Sequence, residues 1–424
     1  MIGTSSEGPW ALTEHLRDDN PNFVQRNFHP RQTHRNPAIV AAFGSATPHS
    51  GEVLLHYAGD PPPGVPRREV PVILVHGATK NANFWWDPHE DGSERGFAQH
   101  LRDRGFQVYA VTFAHSQDDN FLWAQQVANA IDRVKEKTGA DKVDLVGHSK
   151  GGVPVRMYVS DVREPWMTPY RRDVRRVLLA AAPNGGIDFS FRHPVANYAL
   201  VRETDNPRLN APTSWERALL WGRYQDVSEL GFGSSGPDYF PGQRQLLARW
   251  DGRYSLTPLE PDWFTTYHGG QGIVSSSRGI ARYIEEGGNL IERLGRTPIH
   301  PDVEVAVLAG NQPNVPGILN EYTGPSDGLL FVESALKLPE ESRVVAEAVL
   351  PLHHKALISE PEGQAWMTEV LEAEHLEPLE KRTLEETLEG GLVSGKDYLE
   401  PARERAMQEA AHIGASSVDG FLLR

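Results

Sequence analysis

Asp144-Leu145-Val146-Gly147-His148-Ser149-Lys150-Gly151-Gly152 is the stretch whose reading decides the fold. It carries the pattern G-x-S-x-G centred on Ser149. The bare pattern is common, so its flanks must decide. Lys142 to Val146 reads as a short buried strand, and Gly151 to Tyr158 can begin a helix. A strand, a sharp turn and a helix make a nucleophile elbow, which strains the backbone at the serine and lifts its hydroxyl clear of the sheet. Gly147 and Gly151 suit such a turn, because a Cβ at either place would collide across it.

Working outward, Val70-Pro71-Val72-Ile73-Leu74-Val75 is an apolar run of the kind buried on both faces of a sheet. It leads into the polar loop His76-Gly77-Ala78-Thr79-Lys80-Asn81. A helix is expected from about Ser93 to Arg104, a strand over Phe106–Phe113, and a long amphipathic helix over Asp118–Thr138. After the elbow comes another strand, Arg175–Ala182. Strands alternating with helices imply an α/β class with a mostly parallel sheet and right-handed crossovers.

The alternation stops between residues 187 and 300. That region is rich in Gly, Pro and aromatics, including Trp215, Trp221, Tyr239, Phe240, Trp250, Trp263, Phe264 and Tyr267. It shows no clear strand, and short helices are expected over Thr213–Gly222 and Ser277–Leu294. It reads as an inserted cap, whose aromatics serve in good part as its own small core. Strand character returns at Val303–Ala309 and Arg343–Val349, and Ser334 is a candidate N-cap. Residues 1–50 read as an irregular polar arm, 51–186 and 301–358 as the core, and 359–424 as an acidic, mainly helical extension.

The 424 residues are 39% hydrophobic and 23% charged, enough for one enlarged α/β domain. The net charge of -15 argues against a nucleic-acid partner. From Glu360 onward there are 15 acidic and 6 basic residues, a net of -9, which fits a solvated helix face. There is no cysteine, which removes disulfides, thiolate nucleophiles and Cys-ligated metal. No metal site or cofactor is expected. The N-terminus lacks a basic and apolar leader pattern, and no run of 18 apolar residues suggests a transmembrane helix. A cytoplasmic chain is expected as written, or a secreted one if the chain is a trimmed mature form.

With the motifs G-H-S-K-G, V-H-G-A-T-K-N, S-D-G-L-L and L-H-H-K-A-L in this order, the chain resembles the α/β-hydrolase superfamily. Within it, the chain is similar to bacterial lipases and esterases and to polyester (polyhydroxyalkanoate) depolymerases. The resemblance covers about residues 65–186 and 301–358. It implies a serine nucleophile followed in the chain by an acid and then a histidine. Ser149 takes the first place. Asp327, in Ser326-Asp327-Gly328, takes the second. On its own that triplet is only a turn, and its position after the strand ending at Ala309-Gly310 selects it. Asp302 is the weaker alternative, because it precedes that strand. His353 and His354 lie beyond the last strand. If extended geometry persists, alternation places His354 on the side of Leu350 and Leu352, toward the interior. The spacing His354-Lys355-Ala356-Leu357 agrees with the resemblance, which assigns the base to His354.

The resemblance further implies an oxyanion hole from the backbone N–H groups of Ala78 and Lys150. One departure is Lys150 itself, where similar lipases often have Met or Gln. His76, Thr79 and Asn81 are expected to support the loop, and His148 and His353 to stand beside the site. The implied function is a carboxyl-ester hydrolase acting through an acyl-enzyme on esters with an apolar acyl part. A polyester depolymerase, or an acyltransferase or amidase on the same triad, is the alternative. A non-catalytic binding protein of the same fold is disfavoured by the intact Ser149, Asp327 and His354.

Overall fold

The computed structural model describes residues 1–28, 32–89, 92, 95–193, 240–259, 262–272, 276–316, 320–379 and 386. In chain order the elements begin with β1 (Gly3–Ser5), β2 (Leu12–Arg17), α1 (Pro37–Phe43), β3 (Glu52–Tyr57) and β4 (Val72–Val75). Next come α2 (Asn83–Trp86), α3 (Phe97–Asp103), β5 (Val108–Phe113), α4 (Asn120–Thr138) and β6 (Val143–His148). A single 3₁₀ turn, Ser149–Gly151, leads into α5 (Gly152–Val159), β7 (Val174–Ala180) and α6 (Phe189–Arg192). Then follow α7 (Pro241–Arg244), α8 (Trp263–His268), β8 (Gly270–Gln271), β9 (Ser276–Ser277), α9 (Ile280–Glu286) and α10 (Leu290–Arg296). The described chain closes with β10 (Glu304–Gly310), α11 (Val332–Leu336), β11 (Val344–Leu350), α12 (Ala356–Ser359) and α13 (Pro361–Glu372).

Among the described residues, nine strands form one sheet in the order β1-β2-β3-β5-β4-β6-β7-β10-β11. From β5 to β11 every pairing is parallel. Val72, Ile73, Leu74 and Val75 are all fully buried, as expected for a strand covered on both faces. One apolar layer packs α3 and α13 on Val72, Leu74, Val146, Leu178 and Leu308. The other packs α4 and α5 on Ile73, Val75, Leu145, Val177 and Val307. In α4, Val127, Ile131 and Val134 face the sheet with helical spacing, Asp119 caps the start, and Gly139 ends the helix in a left-handed conformation.

Four local expectations need correction. The first 50 residues are not irregular throughout. β1 and β2 extend the sheet as antiparallel strands beside β3, and Ile39 and Phe43 of α1 pack on Leu54. β2 is not legible in the sequence because it buries polar side chains. Thr13 bonds His56, His15 bonds Glu52, and Glu14 bonds Arg133 and Lys137. Such a strand has no apolar alternation to read. Ser334 does not cap a helix. It lies inside α11, and its hydroxyl donates to the carbonyl of Gly186. The helix expected over Ser277–Leu294 is two helices, α9 and α10, parted where Gly288 and Asn289 take positive φ. The region expected to lack strands holds the short antiparallel pair β8–β9.

The helix expected over Thr213–Gly222, with Trp215, Trp221 and Tyr239, lies outside the described residues, as does nearly all of the acidic tail. α13 falls at the start of that tail. Arg176 donates to the carbonyls of Val370 and Ala373, and Arg175 to that of Leu371, so two guanidinium groups of β7 hold the end of α13. Leu379 N–H then bonds the carbonyl of Val344, at the start of β11. Among the described residues no helix is long and apolar enough to cross a membrane.

Candidate active site

Ser149 sits directly after β6 with φ of +54°. This left-handed conformation is costly for a residue with a Cβ and is held by its surroundings. The glycines around it permit that hold. A Cβ on Gly147 would come within 2.6 Å of Gly152 Cα, and one on Gly77 within 2.9 Å of Ser149 Cβ. A Cβ on Gly151 would strike the carbonyl of His76, so the turn is pressed against the end of β4 as well as folded on itself. The sequence alone predicts that collision across the turn, and for Gly151 the structure places it against the end of β4.

The structure brings Ser149, His354 and Asp327 into one hydrogen-bonded line. Ser149 Oγ lies 2.9 Å from His354 Nε2, and His354 Nδ1 lies 2.7 Å from Asp327 Oδ2. A carboxylate only accepts, so Nδ1 carries the proton and donates to Asp327, leaving Nε2 to accept from the serine hydroxyl. Asp327 is 1% exposed. Its Oδ1 accepts the N–H groups of Leu329 and Leu330, which reserves Oδ2 for the histidine. Asp327 follows β10 by a loop that turns at Gly328, whose φ is +96°. The His354 N–H bonds the carbonyl of Asp327 at 2.9 Å, so acid and histidine are tied through the main chain too.

His353 points elsewhere. Its Nδ1 accepts the N–H groups of Lys355 and Ala356 at the start of α12. Burial and the nearby Lys355 hold its pKa below the ordinary range. Asp302 is far from the serine in the fold, before the N-terminal end of β10, and faces His300 and Arg172 at 3.7 and 4.0 Å.

Two further histidines brace the site. His148 Nε2–H donates to the carbonyl of His354 at 2.9 Å, and the two rings lie 5.1 Å apart. His76 Nδ1–H donates to the carbonyl of Gly77, while its Nε2 accepts the N–H of Phe113. Burial lowers the pKa of each to about 3, so both stay neutral, as these bonding patterns require. Ala78 follows Gly77 in the loop that abuts Ser149, and Thr79 has φ of +63°. Asn81 accepts the N–H of Asn83 and starts α2, a role that shapes the loop. Lys150, the residue after the serine, is 1% exposed. Its burial is the feature the sequence did not signal, because lysine is rarely buried without a hydrogen-bonded partner.

A family model described as alpha/beta hydrolase fold matches residues 70–213. The fold is that of the α/β hydrolases. The chain is 35% identical over 100 residues to a triacylglycerol lipase of Pseudarthrobacter phenanthrenivorans, a match covering 22% of this chain and 28% of that one. It is also 35% identical over 100 residues to a triacylglycerol lipase of Burkholderia plantarii, covering 22% and 25% respectively. The chain therefore spans only about a quarter of the length of these curated relatives. Among solved structures it is similar to a Bacillus licheniformis lipase, BlEst2, in its propeptide form, with 16% identity, a TM-score of 0.44 and coverage of 78% and 56%.

Proposed function

We propose that this protein is a serine carboxyl-ester hydrolase of lipase or esterase type, working through an acyl-enzyme at Ser149. The observation that carries the reading is the line from Ser149 Oγ to His354 Nε2 at 2.9 Å and from His354 Nδ1 to Asp327 at 2.7 Å. A serine hydroxyl needs a base to take its proton and an acid to orient that base. Here the base presents a bare nitrogen to the hydroxyl, and the acid has one oxygen free for it.

In this mechanism Ser149 Oγ attacks the ester carbonyl while His354 Nε2 takes its proton. Asp327 stabilises the imidazolium that forms. The developing oxyanion is met by the N–H groups of Lys150 and Ala78. His354 then gives its proton to the departing alkoxide, and the alcohol leaves the acyl-enzyme. Water attacks next, with His354 again taking the proton, which it returns to Ser149 Oγ as the carboxylic acid departs. The names of the two curated relatives support an ester with an apolar acyl chain. His148 and His76 hold the base and the oxyanion loop in place.

The test is a series of chromogenic esters of rising acyl length, with Ser149→Ala beside the native chain. The native protein should hydrolyse the series and take a fluorophosphonate label. The variant should fold but lose on the order of 10⁴–10⁶ in kcat. A Ser149→Ala protein that kept native turnover would overturn the reading. Release of acyl product only when an alcohol or amine acceptor is supplied would shift it to acyl transfer.

A further inference from the structure

The mechanism uses the main chain of Lys150 and leaves its side chain without a task. That side chain is nonetheless almost fully buried, and its Nζ makes no hydrogen bond among the described residues. Nζ lies 3.2 Å from the centre of the Trp123 ring. Phe113 stacks on the same indole at 4.0 Å and 13°. Two groups cannot share one face at those distances, so Lys150 and Phe113 sandwich Trp123.

Other elements close around the stem. A Cβ on Gly242 of α7 would come within 2.7 Å of Lys150 Cε and would strike the Asp118 carbonyl. Only glycine lets α7 lie there. Burial pushes the Lys150 amine far below its ordinary pKa, opposed by the carboxylates of Asp118 and Asp119. Burial raises the pKa of Asp118, whose carboxylate accepts Arg26 Nε–H at 2.6 Å. Asp118, which Arg26 of the N-terminal segment holds, Asp119 and Gly242 of α7 thus stand around one lysine.

Trp123 also touches the other half of the oxyanion hole. Its ring lies 5.2 Å from that of His76, edge to face. His76 bonds the carbonyl of Gly77, the residue before Ala78. One indole therefore meets both segments that supply the two N–H donors. A main-chain N–H points where the dihedral angles of its residue send it. Anchoring the Cα–Cβ bond of Lys150 restricts those angles directly after the strained Ser149.

We propose that the Lys150 side chain, clamped between Trp123 and Gly242, is a positioning residue that sets the spacing of the Lys150 and Ala78 amides in the oxyanion hole. The inference rests on the ester-hydrolase reading above. Because the oxyanion exists only after attack, a misplaced donor weakens the transition state and leaves the bound substrate untouched. The signature is a fall in kcat with KM preserved. A merely structural lysine would lower the melting temperature without that split.

Lys150→Met keeps the stem and removes the amino group, and Gly242→Ala pushes on the stem. With a short p-nitrophenyl ester, each should lower kcat about tenfold or more, part of the 10²–10³ lost when a donor is removed outright. KM should stay within about twofold. Affinity for a trifluoromethyl ketone, which forms an oxyanion adduct on Ser149, should fall by the same factor as kcat. If Lys150→Met does not fold, Trp123→Phe carries the test, since it shrinks the platform and should give the same split. Native kcat and ketone affinity in the Lys150→Met protein would overturn the proposal and leave the hydrolase reading standing. A native protein that neither hydrolysed the esters nor took a fluorophosphonate label would overturn both.

Discussion

The C-terminal ends of β4, β6 and β7 and the antiparallel margin of β2 and β3 are built on opposite plans. At the strand ends, three non-glycine residues have positive φ: Thr79, Ser149 and Ala181. Backbone or neighbouring Cβ atoms approach so close there that Gly77, Gly147, Gly151 and Gly152 have no room for a Cβ. Along β2 and β3 no residue has positive φ. That margin is held instead by side-chain pairs, His56 with Thr13 and Thr112, and Glu14 with Arg133 and Lys137. One region holds fixed geometry in its main chain, and the other satisfies buried polar groups across distant segments. Substitutions should divide accordingly, with turnover lost at the strand ends and stability lost at the margin.

The sharpest division is expected at the adjacent histidines. His354→Ala should lower short-chain ester hydrolysis by several orders of magnitude while its melting temperature stays close to native. His353→Ala should cost about tenfold or less, through looser packing at the start of α12. Steady-state kinetics on both proteins decides this, and the reverse ranking would move the base to His353.

A smaller effect is expected from pH, and it joins the two regions. Burial lowers the pKa of His56 in the margin, and of His76 and His148 at the strand ends, to about 3. The unfolded chain takes up these protons near the ordinary value of 6.5, and the folded chain does not until about 3. Stability is therefore fully present above 6.5 and lost as pH falls toward 3. Each histidine contributes at most about 1.4 kcal/mol per pH unit within that window. Melting temperatures should stay level from pH 8 to about 6.5 and fall from there to pH 4. His56→Gln, which can still bond both threonines, should make the fall shallower and leave kcat at neutral pH unchanged. An equally steep fall in that variant would remove His56 from the account.

The smallest effect belongs to Glu14. Its side chain is 4% exposed, while Arg133 and Lys137 are each 22% exposed and can turn toward water. Glu14→Ala should therefore cost only about 1–2 kcal/mol of stability by denaturant titration, with native kcat. A loss of turnover larger than the loss of stability would break the division between the two regions.

The same contrast explains what could be read from the sequence. The elbow was legible because strain and close approach demand particular residues, such as Gly147, Gly151 and a serine between them. β4 to β7 were legible because strands buried on both faces are apolar runs. Asp327 could be assigned to the acid only by chain order and resemblance, and His354 to the base only with the alternation of Leu350 and Leu352 added, since a lone Asp-Gly or His-His has many ordinary uses. β2 was missed because Thr13, Glu14 and His15 advertise a surface, and the partners that let them be buried lie about 37 to 123 residues away. The packing of Lys150 was hidden for the same reason. Trp123 and Gly242, which enclose it, carry no local mark of that duty.

The hold of Arg175 and Arg176 on the end of α13 has a practical side. It returns the chain to Leu379 beside Val344, where β11 begins. That is the pole of the parallel sheet opposite Ser149, which lies at the C-terminal end of β6. A bead, electrode or fusion partner joined just beyond Leu379 would therefore sit behind the sheet, with the serine facing outward into the medium.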